Sequence, residues 1–434
     1  MRTLGVSRVA AGKILAGNRE WNPPMARRIF VWAFLARAVV GIVAYLLTVY
    51  TEVPFLEDAL WYEEVGYSVA QEWLSGRWGA LDTLPAGVQM AKPVVATIAS
   101  FYYVTGGTRT LPLLLVAYGA ITAIIPVYVY WIGIELGAPE RAAKWAGWLV
   151  ALSPAFVLFS GSLHKEGLIL LSLSVAAYHA LRLQSRWQPR SFITLVLSLL
   201  VLFALRYYIA IVVCGAVVLG LVSVRRANRP GASTRITVPM LIRQGAIVAA
   251  FVGIMATLGF QESADRPLEE SREGLLVQVD QYRRDLAMYG QSGYLPEADA
   301  STPQGAAEFA PIGLLYFLAA PFPWQTGSLR QNLVIPETAF WVLLYPVVVV
   351  GVARSFRVNR PGTVMLMAAT GGMCIVYALM SGNIGIAYRM RTQVWLLWAP
   401  FAAWGWEAWR ERRRQGSAVR VAGRRSRPVA ARSR

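Results

Sequence analysis

The chain is poor in the residues that build metal centres and disulfides. Of its 434 residues only two are cysteine, Cys214 and Cys374, and only two are histidine, His164 and His179. Both cysteines lie inside apolar runs, so neither a disulfide framework nor a zinc site is implied. Two histidines cannot supply a histidine-rich centre. Charge is scarce as well: 15% of residues are charged, and the 24 acids are outnumbered by 42 Lys and Arg, for a net charge of +18. There is no Walker loop and no G-x-G-x-x-G fingerprint, so no nucleotide cofactor is expected, and energy or sugar from a nucleotide would have to arrive through another protein. A cleavable signal is missing too, because the first apolar run is too long for an h-region and no A-x-A site follows it.

What is abundant is apolar surface. The chain is 56% hydrophobic with a mean hydropathy of +0.45, the composition of an integral membrane protein and not of a soluble globule. Apolar runs long enough to cross a hydrocarbon core of about 30 Å fall at 29–50, 111–136, 143–160, 167–183, 191–205, 208–224, 239–260, 338–352, 363–380 and 394–409. They predict an all-α polytopic membrane protein of about ten transmembrane helices. MAKPVVATIASFYYVTGG, at 90–107, is too short and interrupted for a crossing and is expected to be a surface or re-entrant helix. PIGLLYFLAAPFPW, at 311–324, is read the same way, because a crossing there would invert every later loop.

Cytoplasmic loops should be enriched in Lys and Arg. A cytoplasmic N-terminus meets that rule at every loop, so both termini are expected inside the cell and the protein in the plasma or inner membrane. The basic residues then concentrate in the leader 1–28, the short inner loops and the tail 410–434, facing anionic headgroups, and nucleic acid is not an expected partner. Between them lie a module at 29–183 with an acidic first outer loop at 51–108, middle helices at 184–260, a large outer loop at 261–337 and C-terminal helices at 338–409. Asp265, Glu269, Glu270, Asp280 and Asp285 in the large loop read as ordinary solvated acids.

The first outer loop opens with TEVPFLEDALWYEEVGYSVAQEWLSGRW, carrying Glu52, Glu57, Asp58, Glu63, Glu64 and Glu72 against one base, Arg77. As a helix it places Trp61, Tyr62, Val65, Val69 and Trp73 on one side and Glu63, Glu64 and Gln71 on the other, the pattern of a helix lying on a membrane surface. Glu57 and Asp58, at the mouth of a span, stand where an enzyme acting on a lipid-linked substrate would keep its base; an acidic re-entry helix without chemistry has the same pattern. Five bases sit at outer span ends, where positive charge is depleted: Lys92, Lys165, Arg206, Arg389 and Arg391. Each taken alone is explained by snorkelling. Together they suggest an anionic ligand held at the interface, and a lipid phosphate suits Arg forks and Lys ammonium groups.

In these residues the chain resembles the GT-C superfamily of membrane glycosyltransferases, particularly the branch with protein O-mannosyltransferases and lipid A aminoarabinose transferases. The likeness rests on Glu57-Asp58 followed by Tyr62, on AKPVVATIASFYYVTGG with Val94 in place of a second proline, and on Arg109 in TRTLPLLL. ALSP at 151–154 and Lys165-Glu166, where relatives have Lys-Asp, continue it. It covers roughly 28–183, and PFPW and GNIGIAYRMR are similar to segments of bacterial relatives. The resemblance implies a polyprenyl-phosphate-linked sugar as donor and an extracytoplasmic glycan, lipid or protein as acceptor. It implies Asp58 as general base, with Glu57 orienting it, and Lys92 foremost on the departing phosphate, followed by Arg206, Lys165, Arg389 and Arg391. Some branches use a divalent cation and others none, and the acidic pair leaves that open. Three other readings of the residues stand beside it: a flippase or transporter for a lipid-linked saccharide, an extracytoplasmic polysaccharide polymerase or ligase, and a noncatalytic scaffold.

Overall fold

In the computed structural model the described residues are 22–51, 57–227, 274–290, 292–325 and 329–425, and among them the regular structure is helical. Six helices are long and apolar enough to cross a membrane, or seven if one bent pair forms a single span. Of the ten runs expected, 239–260 lies outside the described residues. Two others fall within one element with a break, and a third falls in a long Trp-rich helix that is not apolar enough to count.

The chain enters at α1 (Pro23–Tyr50), where Asn22 accepts a hydrogen bond from Met25 N and Pro23 opens the first turn. Arg37 lies midway along it and is fully buried, a position that is costly unless the guanidinium is satisfied by protein. Its Nε donates to Ser160 Oγ at 2.8 Å and its Nη1 to the Ala33 carbonyl at 3.1 Å. After α2 (Glu57–Leu74) and two short 3₁₀ turns comes α3 (Lys92–Val104), which packs along α2 and at 13 residues is too short to count as a span. The next span is α4 (Leu111–Thr122) continued by α5 (Ile125–Leu136).

α6 (Glu140–Leu152) and α7 (Pro154–Gly161) make the bent pair, turning 57° at Ser153. Proline at 154 cannot donate into the preceding turn, so the break exposes backbone groups that the bilayer will not solvate. Charges of opposite sign meet them. Arg37 Nη1 reaches the Ala151 carbonyl at 3.5 Å, and Glu337 accepts from Ala155 N at 2.9 Å and from Ser153 Oγ.

The runs expected at 191–205 and 208–224 form one continuous element, α9 (Pro189–Ala227), broken at Arg206, whose φ of −155° and ψ of 83° are not helical. The contacts show that the chain reverses there. Gly220 lies against Gln184, near the end of α8 (Lys165–Ser185), and α9 begins only five residues beyond Gln184; Arg206 instead touches Glu166, at the start of α8. Both ends of α9 therefore lie at one end of α8 and its midpoint at the other, as a pair of antiparallel segments requires. The turn into α8 is tight and buried: Leu163 takes a left-handed φ of 57°, and Tyr118 OH donates to the His164 carbonyl at 2.7 Å. Gly167 is needed beneath it, since a β-carbon there would stand 2.5 Å from that hydroxyl.

Asp280 is a correction to the sequence reading. In α10 (Leu275–Tyr289) it is buried, bound by Arg283 at 2.8 Å and Arg284 at 2.7 Å, and it accepts from Ala300 N, so it organises the loop that follows; Asp285 stays exposed. Asp265, Glu269 and Glu270 lie outside the described residues. α11 (Pro303–Ala319) begins beside that loop, with Phe309 over Arg283, and ends beside Arg391 and Tyr345. At 17 residues it is not among the helices long enough to count as a span. The carbonyls of its last turn would be orphaned inside the bundle, and Arg391 donates to those of Tyr316, Phe317 and Ala320.

Three helices complete the bundle: α12 (Leu329–Val358), α13 (Arg360–Met380) and α14 (Ile384–Arg425). α12 and α14 run antiparallel and close, with Gly351 against the Phe401 carbonyl and Gly405 against that of Val347. The expected span 394–409 lies in α14, and from Val394 to Trp404 nearly every residue is buried. A central helix surrounded by protein has no need of the lipophilicity of a lipid-facing one, which is why this run is the least apolar of the set. Cys214 and Cys374 are buried free thiols.

Candidate functional site

Four of the residues singled out in the sequence come together where α2, α8, α9 and α14 meet. Asp58, one residue into α2, accepts a hydrogen bond from Arg389 of α14, with Nη1 to Oδ2 at 2.8 Å. Arg206, at the break of α9, donates through Nη2 to Glu166 Oε1 at 2.8 Å. Its Nη1 donates to Tyr377 OH at 3.2 Å, and that phenol donates to Gln393 Oε1 at 2.7 Å. Lys165 stands beside Glu166 at the start of α8, within the fields of Arg206, Arg389 and Asp58. Tyr62, one turn after Asp58, faces the same group; burial and the charges of Asp58 and Glu166 push its phenol up to about 12, so it remains neutral.

Exposure divides the cluster into a floor and a rim. The Arg206 and Glu166 side chains are 5% and 0% exposed, whereas those of Asp58 and Arg389 are 43% and 28% exposed. Lys165 is half-buried, and no carboxylate lies within ion-pair distance of it among the described residues. Among the described side chains, three cations against two carboxylates leave one excess positive charge. Since each carboxylate already holds an arginine, that excess faces the rim through Lys165 and the free edge of Arg389. The arrangement suits an anion. Among the described residues no three His, Cys, Asp or Glu side chains converge.

The remaining expected site residues are bound to other partners or lie outside the description. The Lys92 ammonium is 3.7 Å from Asp82, and both are exposed to solvent, so the foremost candidate for the phosphate is bound to no member of the cluster. Arg391 is fully buried and spent on the end of α11. It stands two residues from Arg389, about 200° around the helix, so one points at the cluster and the other away from it. Glu57 lies in α2, and its side chain is outside the described set.

The pattern of residues also misled in one place and was silent in two. Glu63, expected on the solvated face, is 2% exposed and holds Arg109 through Nε at 2.9 Å and Nη2 at 2.5 Å; Tyr102 OH also donates to it, at 2.6 Å. Glu166, read only as half of a Lys-Glu turn, is the floor carboxylate. Glu337, read only as the edge of a loop, accepts from Tyr388, the neighbour of Arg389, while joining that tyrosine to the break before α7. Buried on one side of Arg389 by Tyr388 and on the other by Arg391, the first turns of α14 are held at both anchors. Compared with known proteins, the chain matches no family model and has no detectable relative among curated proteins.

Proposed function

We propose that the protein is a membrane glycosyltransferase, similar in plan to the GT-C superfamily, that moves a sugar from a polyprenyl-phosphate donor to an extracytoplasmic acceptor. The observation that carries this reading is the ion pair between Asp58 and Arg389, 331 residues apart, set at the rim of a cluster whose described side chains carry one excess positive charge. In the reaction the acceptor hydroxyl oxygen forms a bond to the anomeric carbon while the bond from that carbon to the phosphate oxygen breaks. The hydroxyl proton passes to the free Oδ1 of Asp58, and the electron pair leaves on the polyprenyl phosphate. A base in this role must reach the proton directly or through one water, and Asp58 is the accessible carboxylate of the cluster. Charge growing on the phosphate is met by cations fixed beforehand: Lys165 and Arg389 at the rim, with Arg206 behind them.

Purified protein given a panel of polyprenyl-phosphate sugars and acceptor oligosaccharides is expected to release free polyprenyl phosphate; silence across the panel would defeat the proposal. The two lysines give a sharper comparison. A charge-assisted contact of about 1.5–3 kcal/mol predicts at least a tenfold loss of turnover for Lys165→Ala, with Lys92→Ala near wild type. The reverse order would move the phosphate to α3.

The orientation belongs to the same reading. With ten spans and both termini cytoplasmic, the cluster lies at the outer face and the Arg-rich end of α14 inside. Reporters fused after Arg357 or Arg410 are expected to report cytoplasm, and fusions between residues 261 and 311 the opposite side. An external signal after Arg410 would place the cluster on the wrong face for a donor presented outside.

A further inference from the structure

α2 has a second side. At 100° per residue, Leu60, Glu63 and Glu64 lie opposite Asp58 and Tyr62, and there a cavity of about 600 Å³ opens between the end of α1, α2 and the start of α4. Tyr45, Leu60, Leu111 and Leu113 make its walls, and Glu63 and Arg109 its polar end. Leu113, on the lip of the cavity, is 54% exposed and belongs to a helix apolar enough to cross a membrane, so the cavity opens at a lipid-facing edge.

Its polar end is built and rigid. Arg109 spends Nε and Nη2 on buried Glu63, lies 5.0 Å over the Tyr67 ring, and still leaves its side chain 48% exposed. Its Nη1 has no protein partner among the described residues. Because both fork positions are fixed, an oxygen arriving at Nη1 meets an arginine whose ordering cost is already met. Glu64 is exposed on the same side of α2, one helical turn from Leu60 of the cavity wall.

We propose that this groove holds one phospholipid of the ethanolamine type, with an acyl chain along Leu60, Leu111 and Leu113, its phosphate at Arg109 Nη1 and its primary ammonium at Glu64. The charges select the headgroup. Glu63 already neutralises Arg109 and Glu64 adds one negative charge, so an anionic headgroup is repelled. A choline headgroup has no N–H to give Glu64, whereas an ethanolamine headgroup carries a positive N–H donor on a short arm from its phosphate. The groove is separate from the Asp58 cluster, and this assignment stands whether or not sugar transfer is the activity.

The test uses full-length protein stripped of lipid in detergent and titrated with palmitoyl-oleoyl phosphatidylethanolamine, phosphatidylglycerol or phosphatidylcholine. The ethanolamine lipid is expected to raise the unfolding temperature by about 3–5 °C at saturation, with one lipid retained in native mass spectrometry, and the other two to give less than half that shift. Leu113→Trp fills the groove from its exposed lip without touching Glu63 or Arg109, and is expected to abolish the shift and the retained lipid. Glu64→Gln should bring the ethanolamine response down to the choline one. Equal shifts for all three lipids, or an undiminished shift in Leu113→Trp, would reduce the groove to bulk lipid contact. Displacement of the ethanolamine lipid by equimolar polyprenyl phosphate would overturn the assignment in favour of the donor's own chain.

Discussion

Asp58→Asn is expected to lower the rate of sugar transfer by about 10²–10⁴-fold, the range general-base catalysis contributes, while leaving the fold almost untouched. The substitution keeps size and shape and removes the capacity to accept a proton. Its structural cost is small because the partner is held at the rim: an ion pair with side chains 43% and 28% exposed contributes at most about 1 kcal/mol. Binding of polyprenyl phosphate should change little, since Lys165 and Arg206 are unaltered. Asp285→Asn, on the exposed side of α10, is the matched control and should behave as wild type. Measured as initial rates against donor concentration, the loss should fall on kcat rather than KM. If Asp58→Asn keeps most of its turnover, the proton goes elsewhere and Glu57 is the next residue to change.

Arg206→Met should have the largest effect on stability, for the opposite reason: Arg206 is on the floor. Removing it leaves Glu166 fully buried with no cation at Oε1, and breaking a buried pair from one side costs about 3–5 kcal/mol. At about 2 °C per kcal/mol for a large chain, the unfolding temperature should fall by roughly 6–10 °C, and transfer should be lost with it. The double variant Arg206→Met/Glu166→Gln removes both charges and should recover more than half of that fall, because a neutral amide leaves no buried charge unpaired. It should not recover transfer, since the cation behind the phosphate is still missing. Thermal unfolding in detergent read beside donor turnover separates the two effects. Equal instability of the single and double variants would show that the two side chains are not a coupled pair.

Sequence alone determined whatever depends on neighbours along the chain. Low charge and high hydropathy decide that the bilayer is the solvent. The bend after Leu152 was not legible, since 143–160 reads as one run and Pro311, Pro336, Pro346 and Pro400 all sit inside continuous helices. The short apolar segments around Lys92 and Pro311 could be read as helices too short to count as spans, and the structure has them as α3 and α11, of 13 and 17 residues. The acidic face of α2 could not be read in the same way. A helical wheel reports which residues share a side but not what that side meets, and Glu63 meets Arg109, 46 residues away. The same limit governs the cations. Arg389 and Arg391 are indistinguishable by composition and by place at a span end. Only the packing of α14 between α2 and α11 gives one to Asp58 and the other to three carbonyls. Glu166 and Glu337 carried no local signal at all, since a buried carboxylate is paid for by partners from other helices, here 40 residues away at Arg206 and 182 residues away at Ala155. Local pattern sets which segments are helical and apolar enough to cross a membrane. Which charges survive there is set by tertiary contact, because in a medium of low dielectric a charge persists only where another part of the chain arrives to meet it.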